Sequence, residues 1–178
     1  MLKIENLVKT YGHFTAVDHL SLELDKGDIY GFVGPNGAGK TTTMRIVATL
    51  MEADAGGVWV DGVNVAEQPM KVRGKLGYMP DFFGVYDNLK VSEYMDFYGN
   101  CYGLSRQDRS RRADELLELV ELQGKKDSYV DTLSRGMKQR LCLSRSLIHN
   151  PGLLILDEPA SGMDPRARDE MKGILKTL

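Results

Sequence analysis

Cysteine and histidine are scarce here, with two and three copies in 178 residues. Neither Cys101 and Cys142 nor His13, His19 and His149 show metal-ligand spacing, which argues against a zinc or iron–sulfur module. Both cysteines lie in stretches that read as helix, and they are expected as small buried residues of a reducing compartment. No signal segment and no apolar run of about 18 residues is present, so no segment is expected to span a membrane. A surplus of one charge is missing too. The formal net charge of −2 gives the whole chain no pull toward nucleic acid or anionic lipid. There is no internal repeat, low-complexity tract or linker. What is present is 42% hydrophobic sequence, enough for one good core and a subdomain.

Leu20, Leu22 and Leu24 alternate with polar residues, the pattern of a half-buried strand, and Leu2 and Ile4 begin a similar one. The run GVWVDG (57–62) ends in an Asp-Gly turn signal. Together these predict a small antiparallel sheet near the N-terminus. The apolar DIYGFV (28–33) predicts a strand leading into a glycine loop, with Met44, Val47 and Met51 at helical spacing behind it. Between Asn88 and His149 the periodicity is helical. Met95, Tyr98 and Tyr102 share one face, Ala113, Leu116, Leu117 and Val120 another, and Met137, Leu141, Ser144 and Ile148 a third. Ser92, Ser105 and Ser134 are the expected N-caps. GLLILDEP (152–159) predicts a strand buried on both faces of a parallel sheet. Asp164-Pro165 opens a last helix carrying Met171, Ile174, Leu175 and Leu178 on one face. With nothing downstream, that face is expected to be uncovered. The expected fold class is α/β, a P-loop NTPase core with a mostly parallel sheet, an N-terminal antiparallel part and an inserted helical subdomain. The chain is expected as a single domain, 1–178, with its core at 1–84 and 136–178 and the helical part at 85–135.

The stretch GPNGAGKTT places Gly34, Pro35, Asn36, Gly37, Ala38, Gly39, Lys40, Thr41 and Thr42 in the G-x-x-x-x-G-K-[ST] pattern. Its glycines let backbone N–H groups close around a β-phosphate, Lys40 reaches the β and γ oxygens, and the Thr41 hydroxyl ligates Mg²⁺. A carboxylate must complete the metal site. Asp157 ends an apolar strand, where ligands bind in α/β sheets, and is the natural Mg²⁺ partner. Glu158 follows and is expected to point away from Asp157, free to polarise water. LSRGMKQR (133–140) reads as a second helix start, with Ser134 as cap and Gly136 leaving the backbone open to an anion. No N-K-x-D motif favours guanine. The cluster RQDRSRR (106–112) has acids close by and is expected as a solvated face.

Tyr11, the glycine loop, LSRGMKQR, LLILDEP and SGMD follow one another in an order that resembles the nucleotide-binding domains of ABC (ATP-binding cassette) transporters. The resemblance covers the whole chain and is greatest to the subfamily that pairs with a separate ABC-2-type membrane permease. It implies ATP and Mg²⁺ as cofactors and ATP hydrolysis as the activity. It also implies a homodimer or heterodimer in which Ser134 and Gly136 contact the nucleotide on the other subunit's loop. By position, Tyr11 resembles the residue that stacks on adenine, Asp157 the metal ligand, Glu158 the catalytic carboxylate, and 161–164 the loop that crosses the dimer.

Three departures stand out. Arg135 replaces the first of two usual glycines and either adds a phosphate contact or faces solvent. Asp81 stands where a metal-contacting glutamine is usual, a candidate third metal ligand. No histidine follows SGMD, so the chain reads as a C-terminally truncated fragment of a longer ATPase. The expected location is cytoplasmic, on the inner face of the membrane through the permease, with no nucleic-acid partner. The alternatives are a soluble ABC ATPase acting on DNA or ribosomes, and a nucleotide-binding regulatory module without turnover. Neither long coiled coils nor zinc modules support the first of these.

Overall fold

A computed structural model describes residues 1–81 and 88–178. It divides into two compact units, Met1–Gly77 and Tyr78–Leu178. The expected boundary between 84 and 85 touches residues outside those described.

In the first unit, β1 (Leu2–Tyr11) and β2 (Phe14–Leu24) form an antiparallel hairpin, and β3 (Ala55–Val60) pairs with the other edge of β1. The short β4 (Val63–Asn64) completes a sheet of order β2-β1-β3-β4. The Asp-Gly signal is the β3–β4 turn: Asp61 and Gly62 both have positive φ, +48° and +73°, and Val60 pairs directly with Val63. Alternation works as expected. Leu2 and Ile4 are buried on β1, while Leu20, Leu22 and Leu24 are half-buried on β2. Behind the sheet α1 (Lys40–Val47) buries Ile46 and Val47 and packs against β2 and β3. It stops at Val47, with Thr49 left-handed at φ +62°, so Met51 lies beyond the helix expected to carry it. The short α2 (Pro69–Arg73) starts with proline at its first position.

The strand expected at 28–33 does not form. These residues join no ladder, and Ile29 and Val33 are 99% and 95% exposed. An apolar run is not sufficient for a strand, because backbone N–H and C=O groups need a neighbour with which to pair.

The second unit begins within β5 (Leu76–Met79), which forms a two-stranded sheet with β6 (Leu153–Leu156). The Asp157 N–H donates to the Met79 carbonyl at 2.9 Å. That bond joins the C-terminal ends of both strands, as parallel pairing requires. Contrary to expectation β6 is not buried on both faces: Ile155 is buried, while Leu153, Leu154 and Leu156 are half-buried.

Between the strands run α3 (Val91–Cys101), α4 (Arg106–Leu119) and α5 (Arg135–Leu147). Ser105 and Ser134 cap α4 and α5, accepting from the N–H of Asp108 at 3.1 Å and of Met137 at 3.3 Å. Ser92 does not cap α3. Lys90 holds that position, its N–H bonded by Glu93 at 2.8 Å. Tyr94, Met95, Leu117, Leu141, Cys142 and Ile148 are fully buried in one core, each large apolar member contributing about 1.5–3 kcal/mol.

The last helix, α6 (Pro165–Thr177), is capped by Asp164. Its apolar face is not left uncovered: Met171 and Ile174 join that core, Leu175 packs against it, and Leu178 alone of the four is exposed. α5 itself supplies part of the cover.

Two further expectations are corrected. Cys101, the last residue of α3, is exposed, whereas Cys142 is buried and burial pushes its thiol up to about 11. In the basic cluster, Arg109 and Arg112 are not simply solvated. Arg109 pairs with Asp96 at 2.6 Å, and Arg112 donates to the Leu147 carbonyl at 3.0 Å at the end of α5, where positive charge is favourable.

Candidate functional site

In the first unit, the loop ahead of α1 is secured by its own backbone. Ala38 N–H closes a turn onto the Pro35 carbonyl at 3.2 Å, and Gly37 has φ +84°. Gly39 takes the N-cap position at φ +80°, so no side chain caps α1 and no acid lies in its first turn. Its N–H groups are therefore donors for an anion. Gly39 is fixed by space as well as by φ. A Cβ there would lie 2.1 Å from the Ala16 carbonyl oxygen on β2.

Lys40 folds over the loop, its ammonium donating to the carbonyls of Gly34 at 2.6 Å and Pro35 at 2.9 Å. An ammonium has three donors, so the third is available to a phosphate oxygen. Tyr11 ends β1 in the same unit. It is 47% exposed, its hydroxyl donates to Met51 Sδ at 3.0 Å, and Lys9 Nζ stands 6.0 Å from the ring centre. A half-exposed ring tethered at its hydroxyl suits stacking on a base.

The second unit carries Asp81, Ser134, Gly136, Asp157 and Glu158. Asp157 follows β6 and is 2% exposed, whereas Glu158 is exposed. The two carboxylates differ in exposure, but not by strand alternation. β6 has already ended, and Glu158 is left-handed at φ +49°, a rare conformation for a glutamate. Ser161 N–H donates to its carbonyl at 2.9 Å. Ser134 and Gly136 open α5, and a Cβ on Gly136 would lie 3.0 Å from Ala167 Cβ, so the starts of α5 and α6 are in contact. Arg135 is exposed, yet its guanidinium lies on Gly162. Asp81 is exposed at the edge of the described residues.

Sequence reasoning did not find the turn at Glu158 or the approach of Arg135 to Gly162. Both depend on contacts between distant residues; the isolated glycine in SGMD was the single available hint.

The oxygen donors Thr41, Asp157 and Asp81 are of the kind that Mg²⁺ takes, commonly through one or two protein oxygens with phosphate and water. Chemically, the first unit offers backbone N–H donors and a cation, and the second a buried and an exposed carboxylate with a capped helix start.

A family model described as ABC transporter matches residues 17–161. The linearmycin resistance ATP-binding protein LnrL of Bacillus subtilis (strain 168) is 38% identical over the whole chain, which spans 57% of LnrL. The bacitracin transport ATP-binding protein BcrA of Bacillus licheniformis is also 38% identical, again over the whole chain and 57% of that protein. A solved dimer of the ATP-binding cassette MJ0796, in a post-hydrolysis state bound to ADP and Pi, superimposes with a TM-score of 0.89 at 27% identity. That match covers 100% of this chain and 82% of the cassette. The chain thus spans little more than half the length of the curated relatives it matches.

Proposed function

This chain belongs to the ABC transporter family of ATP-binding proteins, and we propose that it binds and hydrolyses ATP to power a separate membrane permease. The observation that carries this reading is the closed 34–42 loop: an uncapped helix start, with Lys40 held across the loop by two carbonyls. In this reading the loop amides hold the β-phosphate, and the third Lys40 proton meets a β or γ oxygen. Tyr11 stacks on the adenine. Thr41 and Asp157 would hold Mg²⁺, with Asp81 as a candidate further ligand, and the metal would supply charge neutralisation to the phosphates. Glu158 accepts a proton from the attacking water.

Ser134 and Gly136 present the α5 start to the nucleotide of a second ATPase subunit, in a two-fold assembly of like or unlike chains. The Ser134 oxygen already accepts from Met137, which leaves its hydroxyl proton to be donated to a phosphate. Among the described residues no helix is long and apolar enough to cross a membrane. Passage itself falls to a partner permease of the ABC-2 type, with this chain seated on the permease's cytoplasmic face. The names of LnrL and BcrA, a resistance and a transport ATP-binding protein, support an export role. The substrate is carried by the partner and is not encoded in this fold.

The deciding experiment is calorimetric titration of ATP into the wild-type chain and Lys40→Ala. The variant is expected to lose binding at least tenfold, the weight of about one charge-assisted hydrogen bond. Equal affinity in the two proteins would overturn the assignment of the loop.

A further inference from the structure

The segment 158–164 is held at more points than a surface turn needs. Glu158 and Gly162 have positive φ, +49° and +64°. A left-handed glutamate is strained and persists only where its surroundings over-determine it. One end of the segment is closed by the Ser161 N–H on the Glu158 carbonyl. At the other end Met163 is buried, Arg168 Nη2 donates to its carbonyl at 3.4 Å, and Asp164 caps α6.

The middle is held by Arg135. A Cβ on Gly162 would lie 2.3 Å from Arg135 Cζ and Nη2 and 2.6 Å from Nη1. The flat guanidinium therefore rests on the bare Cα. Arg135 is the first residue of α5, and its guanidinium forms no hydrogen bond or ion pair with other described residues. Its contact with Gly162 is one of shape, which lysine, lacking a planar head, does not reproduce.

We propose that Arg135 is a positioning residue for Glu158: packed on Gly162, it holds the 158–164 turn in the conformation that presents the Glu158 carboxylate. The proposal rests on the reading of Glu158 as the group that acts on water. It also pairs two residues that the sequence keeps apart. The guanidinium fits where it lies because position 162 carries no Cβ, and an alanine there would push it off the turn in addition to straining φ.

The test uses the full chain with Arg135→Ala, Arg135→Lys, Gly162→Ala and the double variant Arg135→Ala/Gly162→Ala. Two quantities are measured: amide hydrogen exchange across 158–164 without nucleotide, and steady-state ATP hydrolysis resolved into kcat and KM. Arg135→Ala is expected to speed exchange in 158–164 while leaving the interiors of α5 and α6 unchanged. It is expected to lower kcat about five- to tenfold with KM for ATP unchanged, and lysine should not restore it. Gly162→Ala should be the more damaging single change, since it strains a φ of +64° as well as displacing the guanidinium, and its added effect should shrink in the Arg135→Ala background, where no guanidinium remains to be displaced. Unmoved exchange in Arg135→Ala, or a Gly162→Ala defect of the same size with and without Arg135, would overturn the proposal. If exchange responds as expected but the wild type does not hydrolyse ATP, the contact stands and the reading of Glu158 as catalytic fails.

Discussion

In the 34–42 loop of the first unit, shape is secured by glycine and main chain. Gly39 fits because nothing larger clears the Ala16 carbonyl, and Lys40 is tied to two carbonyls of its own loop. In the 158–164 segment of the second unit, shape is secured by side chains. Arg135 and Arg168 reach in from outside, one lying on Gly162 and the other bonding the Met163 carbonyl, while the segment's own Met163 is buried at its end. A loop that works through its backbone writes its needs into residue spacing, because each glycine answers a local demand. A turn that works through tertiary contacts writes almost nothing locally. The same contrast predicts how each fails: the first by local strain when a glycine is filled, the second by loss of a distant partner.

The largest expected effect tests the second region's function. Glu158→Gln keeps the shape and hydrogen bonding of the side chain but not its basicity. ATP affinity should be unchanged while turnover falls about 10²–10³-fold, the weight of a positioned general base. Wild-type turnover in that variant would leave the strained turn without its assigned role.

Gly39→Ala probes the first region at its tightest point. The added methyl meets both a carbonyl at 2.1 Å and a φ of +80°. The expected loss is about 2 kcal/mol or more, read from denaturant unfolding, together with weakened ATP binding. A variant as stable as the wild type would show that the loop relaxes freely, erasing the contrast with 158–164.

The smallest expected effect concerns Asp54, which ties the first unit's sheet together. It accepts from Lys9 Nζ at 2.8 Å and from the Thr10 N–H and hydroxyl at 2.7 Å each. These bonds, the Lys9 ammonium's foremost, hold its carboxyl well below the usual carboxylate range. A depressed acid stabilises the fold above its unfolded value of 3.8, and that contribution is lost as pH falls through the lower folded value. Melting temperature should therefore fall less steeply below about pH 4 in Asp54→Asn than in the wild type. Parallel pH curves would show that the exposed network contributes nothing, as many surface ion pairs do not.

These two regions also mark how far the sequence could be read. The Asp61-Gly62 turn, the Ser105, Ser134 and Asp164 caps and the inward Leu2 and Ile4 were all legible, since each follows from a local rule. The strand expected at 28–33 was not obtained: Ile29 and Val33 have strand chemistry but no ladder among the described residues. The cover over Met171 and Ile174 was missed because α5 provides it from more than twenty positions away. At the candidate site, the tight turns at Gly37 and Gly39 and the helix starting at Lys40 were legible in the glycine spacing. The left-handed Glu158 was not, because an ordinary glutamate in sequence carries no mark of the backbone it will be forced to adopt.

The unequal fates of the two cysteines have a practical consequence. Cys142 is buried and its thiol is pushed up to about 11, so at neutral pH almost none of it is the thiolate that reacts with alkylating reagents. Cys101 is exposed at the end of α3, beside Tyr102, whose ring stacks on His149 with centroids 3.7 Å apart. The natural chain thus accepts a maleimide fluorophore at one defined position, next to an aromatic pair able to quench it. Motion at the junction of α3 with the end of α5 becomes an optical signal, with no engineered cysteine and none removed.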